Sequence, residues 1–257
     1  MENKTPGQVG DNETLDDLVI NGLKIIQPRE GYRFSLDSVL LAHFPELHQA
    51  DKIVDLGTGN GVIPLLLSQR EESPRITGVE IQEQMVNRAR RSVELNQLQD
   101  RIEIINLDIN NIQDYWSGGF ADLVVSNPPF WRKNEGKLSN NREEAIARHE
   151  LQVTLSELIR QARYILRSGG RLVLIHRADR LPEIMQEFAN NKIAVKKLQT
   201  VHALTNKEAK QVLVAGEKGA RPGLKILPPL IIYDQPGQYT EQLMSIYYDG
   251  KDRDKSG

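Results

Sequence analysis

From residue 52 onward the chain alternates short apolar runs with longer amphipathic ones, and few folds accommodate that rhythm. KIVDLG (52–57), RITGVE (75–80), IEIINLD (102–108), ADLVVSN (121–127) and RLVLIHR (171–177) are short and almost continuously apolar. That pattern suits strands buried on both faces. Between them lie VIPLLLSQR (62–70), QEQMVNRARRSVELNQ (82–97), TLSELIRQARYILRSGG (154–170, closing on a glycine stop) and RLPEIMQEFANN (180–191), which read as helices. IAVKKLQTVHAL (193–204) and AKQVLVAGEKG (209–219) read as two final strands joined by a tight connection. Strands alternating with helices predict the α/β class: a doubly wound, mostly parallel sheet, here of seven strands.

The N-terminal part departs from this rhythm. In LVINGLKIIQ (18–27), Asn21-Gly22 joins two short apolar runs and suits a type I′ hairpin turn. SLDSVLLAHF (35–44) reads as a short helix capped by Ser35. There is no internal repeat and no strong linker. We therefore expect a flexible tail at 1–14, one domain at 15–236 with an N-terminal hairpin and helix extension at 15–50, and a C-terminal tail at 237–257.

Composition removes several chemistries. No cysteine is present among the 257 residues, which excludes disulfides, thiolate zinc sites and a cysteine nucleophile. The five histidines are scattered, without an H-x-x-x-H pair, so no metal is expected. No apolar run approaches the roughly 18 residues that a membrane helix needs, and the polar, acidic N-terminus lacks the features of a secretory signal. The expectation is a cytoplasmic protein with no membrane contact and no obligate protein partner. The net charge of −2 means that any nucleic-acid surface must be local.

The stretch VDLGTGNGVIPLLL (54–67) carries a glycine-rich turn from a strand into a helix, with Gly57, Gly59 and Gly61 able to approach a ligand closely. No Lys-Ser/Thr follows, so it is not a P-loop, and Val62 stands where a dinucleotide fingerprint needs its third glycine. Asp55, just before the loop, would repel a pyrophosphate and suits an ammonium or sulfonium instead. Glu80 ends the next strand, where a carboxylate accepts hydrogen bonds from a ribose diol. Asp108 ends the third strand, where it can accept from an adenine amino group. Three acids at three successive strand ends share the edge on which such sheets bind ligands. The cofactor that fits is S-adenosylmethionine, leaving S-adenosylhomocysteine as product.

LVVSNPPFW (123–131) then ends a buried strand on Asn127-Pro128-Pro129-Phe130. An exocyclic or amide nitrogen is a poor nucleophile because its lone pair is delocalised. The Asn127 side-chain oxygen and the Pro128 carbonyl can accept hydrogen bonds from its two N–H groups and favour a pyramidal nitrogen. The prolines lack N–H and restrict the backbone, so the acceptors are held before substrate arrives. Phe130 offers a flat face for a planar group.

The glycine loop, Glu80, Asp108 and the Asn-Pro-Pro-Phe stretch, in this order and spacing, resemble the class I methyltransferases of the small-domain (MTS-like) kind, over about residues 20–235. Within that kind the chain is most similar to the bacterial tRNA1(Val) adenosine N(6)-methyltransferases, through RFSLDSVLLAHF (33–44), AIARHE (145–150) and VLVAGEKG (212–219). The resemblance implies a Rossmann-like sheet, S-adenosylmethionine as methyl donor, Asn127 in contact with both cofactor and acceptor, and a tRNA anticodon loop as partner. Phe130 stands where family examples often carry Tyr, so any recognition by that hydroxyl is lost.

The Asn-Pro-Pro-aromatic stretch does not select the acceptor. A guanine N(2)-methyltransferase of rRNA usually brings a second, duplicated domain, for which this chain has no room. A protein-glutamine N(5)-methyltransferase favours a helical N-terminal substrate domain. A non-catalytic RNA-binding module that retains the cofactor site is the remaining alternative. The loop WRKNEGKLSNNREEAIARHE (131–150) places Trp131, Arg132, Lys133, Lys137, Arg142 and Arg148 after the acceptor residues, a composition suited to RNA. A second cationic group runs from Lys192 to Lys225 and is expected to hold stem phosphates. His149 is not needed as a base, because the proton on a methylated amine is acidic enough to leave to water.

Overall fold

The computed structural model describes residues 9–18, 22–31, 33–48, 50–70, 74–128 and 153–248. The seven expected strands form one sheet: β3 (Lys52–Leu56), β4 (Arg75–Glu80), β5 (Ile102–Asn106), β6 (Ala121–Ser126), β7 (Leu166–Arg177), β8 (Ile193–His202) and β9 (Ala209–Lys218). Two two-residue strands, β10 (Lys225–Ile226) and β11 (Leu230–Ile231), pair with β8 and extend the edge to nine strands. The order across the sheet is β10-β8-β9-β7-β6-β3-β4-β5. Every pairing is parallel except those of β9, which runs antiparallel to both β7 and β8.

Strand alternation sorts the core into two layers. Ile53, Ile76, Leu123 and Val125 point to one face, with α1 (Leu36–His43), α2 (Val62–Leu67) and α3 (Glu83–Leu95). Val54, Leu56, Val79 and Val124 point to the other, with α4 (Ile112–Tyr115), α5 (Leu155–Ile165) and α6 (Leu181–Asn190). The sheet is therefore wound on both faces, and its order reverses between β3 and β6. Outside that reversal lies the crevice in which such sheets bind ligands.

The N-terminal hairpin forms from other residues than the apolar runs suggest. Its strands are β1 (Glu13–Asp17) and β2 (Lys24–Pro28), a separate two-stranded sheet rather than an edge of the main one. Leu18 N–H donates to the Leu23 carbonyl at 2.9 Å, and Gly22 has φ +69°; Asn21 lies outside the described residues. The polar β1 is held by burial of one charge pair: Glu13 meets Arg91 of α3 at 2.6 Å, both largely shielded from solvent. Ile26 N–H donates to the Ser92 hydroxyl at 2.9 Å, fixing β2 to the same helix.

Three further expectations change. Ser35 occupies the N-cap position of α1 but makes no capping hydrogen bond with its side chain. Helix α5 opens with a reciprocal capping box between Thr154 and Glu157, yet stops at Ile165 rather than at the glycines. Leu166 already pairs with Ala121, and Leu123 next pairs with Arg171, so Gly169 and Gly170 sit in a bulge of β7. Finally, the segment expected as a C-terminal tail contains α7 (Glu241–Tyr248), whose Leu243 is fully buried against the α1 layer.

Candidate cofactor and acceptor site

Gly57, Gly59 and Gly61 all have left-handed φ, at +79°, +58° and +86°. The space around two of them differs. A Cβ on Gly61 would lie 3.0 Å from the Ala89 Cβ, so the loop passes close over α3. A Cβ on Gly57 would meet nothing within 4 Å, because that position faces an open recess. The N–H groups of Gly57 and Thr58 both donate to the Val79 carbonyl at 2.9 Å, which ties the loop to β4. Asn60 accepts from Arg88 of α3 at 2.9 Å and anchors its far side.

Glu80 closes the loop from below: its two oxygens accept from Gly59 N–H and Gln82 N–H, each at 2.9 Å. Asp108 caps the turn after β5, accepting from Asn110 N–H at 2.8 Å, and is half-buried. Asn106, which sequence reasoning missed, bridges the neighbouring strand ends by donating to the carbonyls of Glu80 and Ile81 at 3.0 and 2.8 Å. Asn127 and Pro128 follow β6, where the Ser126 hydroxyl donates to the Leu56 carbonyl at 2.7 Å and fixes β6 to β3.

The recess between these strand ends is lined by Asn127, Gly57, Thr58 and Asn60, with Phe34 and Ser38 from the start of α1. Phe34 and Ser38 were also missed; they come from the extension, and only the tertiary fold brings them to the loop. Phe34 is fixed by its N–H donating to Gln27 of β2 at 2.8 Å. Behind Ser38, Asp37 bonds to Gln211 of β9 and Ser35, and burial raises its carboxyl above the usual range.

Asp55 is the most exceptional group. It is 0% exposed, and among the described residues neither carboxylate oxygen nor the nearby Thr58 hydroxyl has a hydrogen-bond partner. Burial, reinforced by the Glu80 charge, pushes its carboxyl up to about 7; the Thr58 hydroxyl lies close enough to oppose the shift without reaching hydrogen-bond geometry.

One sheet edge thus brings together Asp55, Gly57, Gly59, Gly61, Glu80, Asp108, Asn127 and Pro128. Pro129, Phe130, Trp131, Arg132, Lys133, Lys137, Arg142, Arg148 and His149 lie outside the described residues. The cationic group 192–225 is not one face. The β8–β9 pairing sets Ile193 opposite Lys218 and His202 opposite Ala209. Lys207 and Lys210 therefore flank the ligand-binding edge, and Lys192 and Lys218 the opposite one. Lys197 pairs with Glu46, and Lys196 and Lys218 donate to backbone carbonyls.

An open α/β sheet with an unpaired acid beneath its glycine loop defines a domain for a cationic, phosphate-free nucleoside ligand. The chain belongs to the methyltransferase small domain family, whose model matches residues 36–200. It is an S-adenosylmethionine-dependent methyltransferase. The residues fit that cofactor: a buried carboxylate lacks the cation it needs, and the glycine loop leaves open space beside it. A relative from Porphyromonas gingivalis named tRNA1(Val) (adenine(37)-N6)-methyltransferase is 34% identical over 187 residues, 70% of this chain and 72% of the relative. A Haemophilus influenzae protein of the same name is 28% identical over 84% of this chain and 90% of its own length. Among solved structures, one described as a predicted O-methyltransferase from Agrobacterium tumefaciens has a TM-score of 0.67 at 24% identity, covering 82% of this chain and 95% of its own. That likeness shows the fold. Among the described residues no helix is long and apolar enough to cross a membrane.

Proposed function

We propose that this chain methylates the exocyclic nitrogen of an adenosine in the anticodon loop of tRNA, the one just 3′ of the anticodon of a valine tRNA. The observation that carries this reading is the position of Asn127: it follows β6 on the lip of the recess that also holds the glycine loop. The names of the relatives supply the nucleoside and the RNA.

The bound cofactor supplies an electrophilic methyl group. In this reading Glu80 receives the ribose diol, Asp108 the adenine end, and the Gly57–Gly61 loop lets the backbone come close. The Asn127 side-chain oxygen and the Pro128 carbonyl each accept an N–H of the acceptor amine and turn its lone pair out of the ring. Pro129 restrains the backbone behind them, and Phe130 stacks on the base. Trp131, Arg132, Lys133 and Arg148 are proposed RNA contacts. A loop base costs less to extrude than a paired one, since only stacking must be broken. A tRNA substrate places the reaction in the cytoplasm.

The test is mass spectrometry of nucleosides from purified valine tRNA of a deletion strain, with and without the protein restored. N(6)-methyladenosine should vanish and return. Labelled methyl transfer to tRNA, rRNA and release factor in parallel checks the acceptor; a guanine or glutamine product instead would overturn the adenosine assignment and leave the methyltransferase in place.

A further inference from the structure

We propose that cofactor binding expels one proton from Asp55, whose carboxylate then pairs with the ammonium group of the ligand's methionine moiety. The inference rests on S-adenosylmethionine as cofactor and adds a thermodynamic coupling to it. Asp55 sits at the end of β3 on the α1–α3 face, fully enclosed, with both oxygens unpartnered among the described residues. Among the described residues, no cation contributes to its charge balance. From β4 it faces the negative Glu80. The adjoining residue of β6 is Val125, and the loop gives the unpartnered Thr58 hydroxyl. Among the charged groups of the neighbouring helices, Asp37 of α1 is itself a buried acid, and Arg88 of α3 is engaged by Asn60.

An isolated buried carboxylate is neutralised by a proton rather than left charged. Burial and Glu80 place its titration near neutrality, at about 7. An opposite charge brought into contact lowers a carboxyl by about 1–3 units, enough to discharge the proton to solvent. The Asp55 O–H bond breaks, the buffer takes the proton, and the ligand keeps its ammonium. The ammonium is the better partner than the sulfonium. A carboxylate on the sulfonium would stabilise a charge that the reaction consumes, favouring the ground state over the transition state.

The coupling makes affinity depend on pH in a stated direction. With a free-state value near 7, the dissociation constant should tighten about three- to five-fold from pH 6 to pH 7. At higher pH, where the ligand's own amino group loses its proton, it should weaken again. The measurement is titration calorimetry of the full chain with S-adenosylhomocysteine near pH 6, in phosphate and in an amine buffer whose ionisation enthalpies differ. That ligand has the ammonium but a neutral sulfur. We expect release of about 0.4–0.9 proton per site, abolished in Asp55→Asn, with loss of a protonated-carboxyl band in the infrared difference spectrum of the wild type.

Binding with identical heats in both buffers overturns the proposal while the cofactor assignment stands. Release that persists in Asp55→Asn also overturns it, and points to Asp37. Absence of any binding by the wild type removes both the proposal and the cofactor assignment. The wild-type buffer comparison decides even where the variant fails to fold.

Discussion

Glu80 and Gly59 are joined by a 2.9 Å hydrogen bond in which the carboxylate accepts the loop N–H, so the residue proposed to hold the ribose also shapes the glycine turn. Glu80→Ala should weaken cofactor binding by about 1.5–3 kcal/mol, the range for hydrogen bonds to a charged group. Glu80→Gln keeps an acceptor for Gly59 but turns an amide N–H₂ towards Gln82 N–H, and should fall between the two. Calorimetry with S-adenosylhomocysteine checks the series; equal affinities across all three proteins would remove Glu80 from the ribose site.

Asn127 lines the recess and is proposed to face the acceptor, so its removal should separate binding from chemistry. Asn127→Ala should lower kcat by about 10²–10³, the usual loss for one preorganised polar group, with cofactor affinity nearly unchanged. Single-turnover methylation of tRNA measures the first quantity and calorimetry the second. Wild-type turnover would make the asparagine structural.

Gly61 combines a φ of +86° with the 3.0 Å approach to Ala89. Gly61→Ala should destabilise the fold by about 1–2 kcal/mol from backbone conformation alone, with crowding added. Ala89→Gly alone carries a helix-glycine cost of about 1 kcal/mol, and adding Gly61→Ala to it should cost only the backbone part. Urea unfolding of all four proteins in this cycle reads both contributions; no added cost of Gly61→Ala in the Ala89→Gly background would show that the left-handed backbone costs nothing.

His176 on β7 is buried, and its Nδ1 accepts Arg177 N–H at 2.8 Å, so the other ring nitrogen carries the proton of the neutral form. Burial first, then the Arg180 charge, holds its pKa down to about 4, against partial opposition from Glu183 and Asp179. Its ordinary value is about 6.5. The unfolded chain therefore binds a proton that the folded chain refuses between these values. The stability that neutral His176 contributes is present above pH 6.5 and lost as pH falls towards 4, on the order of 3 kcal/mol in all. Asp55 acts oppositely: its folded form holds a proton up to about 7 that the unfolded form has released. Between pH 7 and 4.5, wild type should lose more stability than His176→Gln in urea titrations. Equal losses would mean that His176 titrates normally.

Most of the fold is legible in the sequence because strands buried on both faces announce themselves locally. The acids and Asn127 are legible for the same reason: once strand ends are placed, parallel topology puts them on one edge. What is hidden depends on distant partners. Strand β1 is polar because its inward residue, Glu13, meets Arg91, which no local pattern reveals. The glycines after α5 resemble a helix stop, but pairing of Leu166 with Ala121 claims that backbone for the sheet. Phe34, Ser38 and Asn106 enter the site through tertiary contacts alone. The lysines of 192–225 are close in sequence, but the β8–β9 hairpin sends them to opposite ends of the sheet.

Helix α1, which supplies one wall of the recess, packs against α7, whose Leu243 closes the same apolar cluster from nearly the far end of the chain. The wall beside the glycine loop is therefore built from segments far apart in the sequence. Cutting the chain before Leu243 would spare the strands of the central sheet and strip α1 of an apolar contact, so the firmness of the wall that carries Ser38 is set by a helix remote from it in sequence.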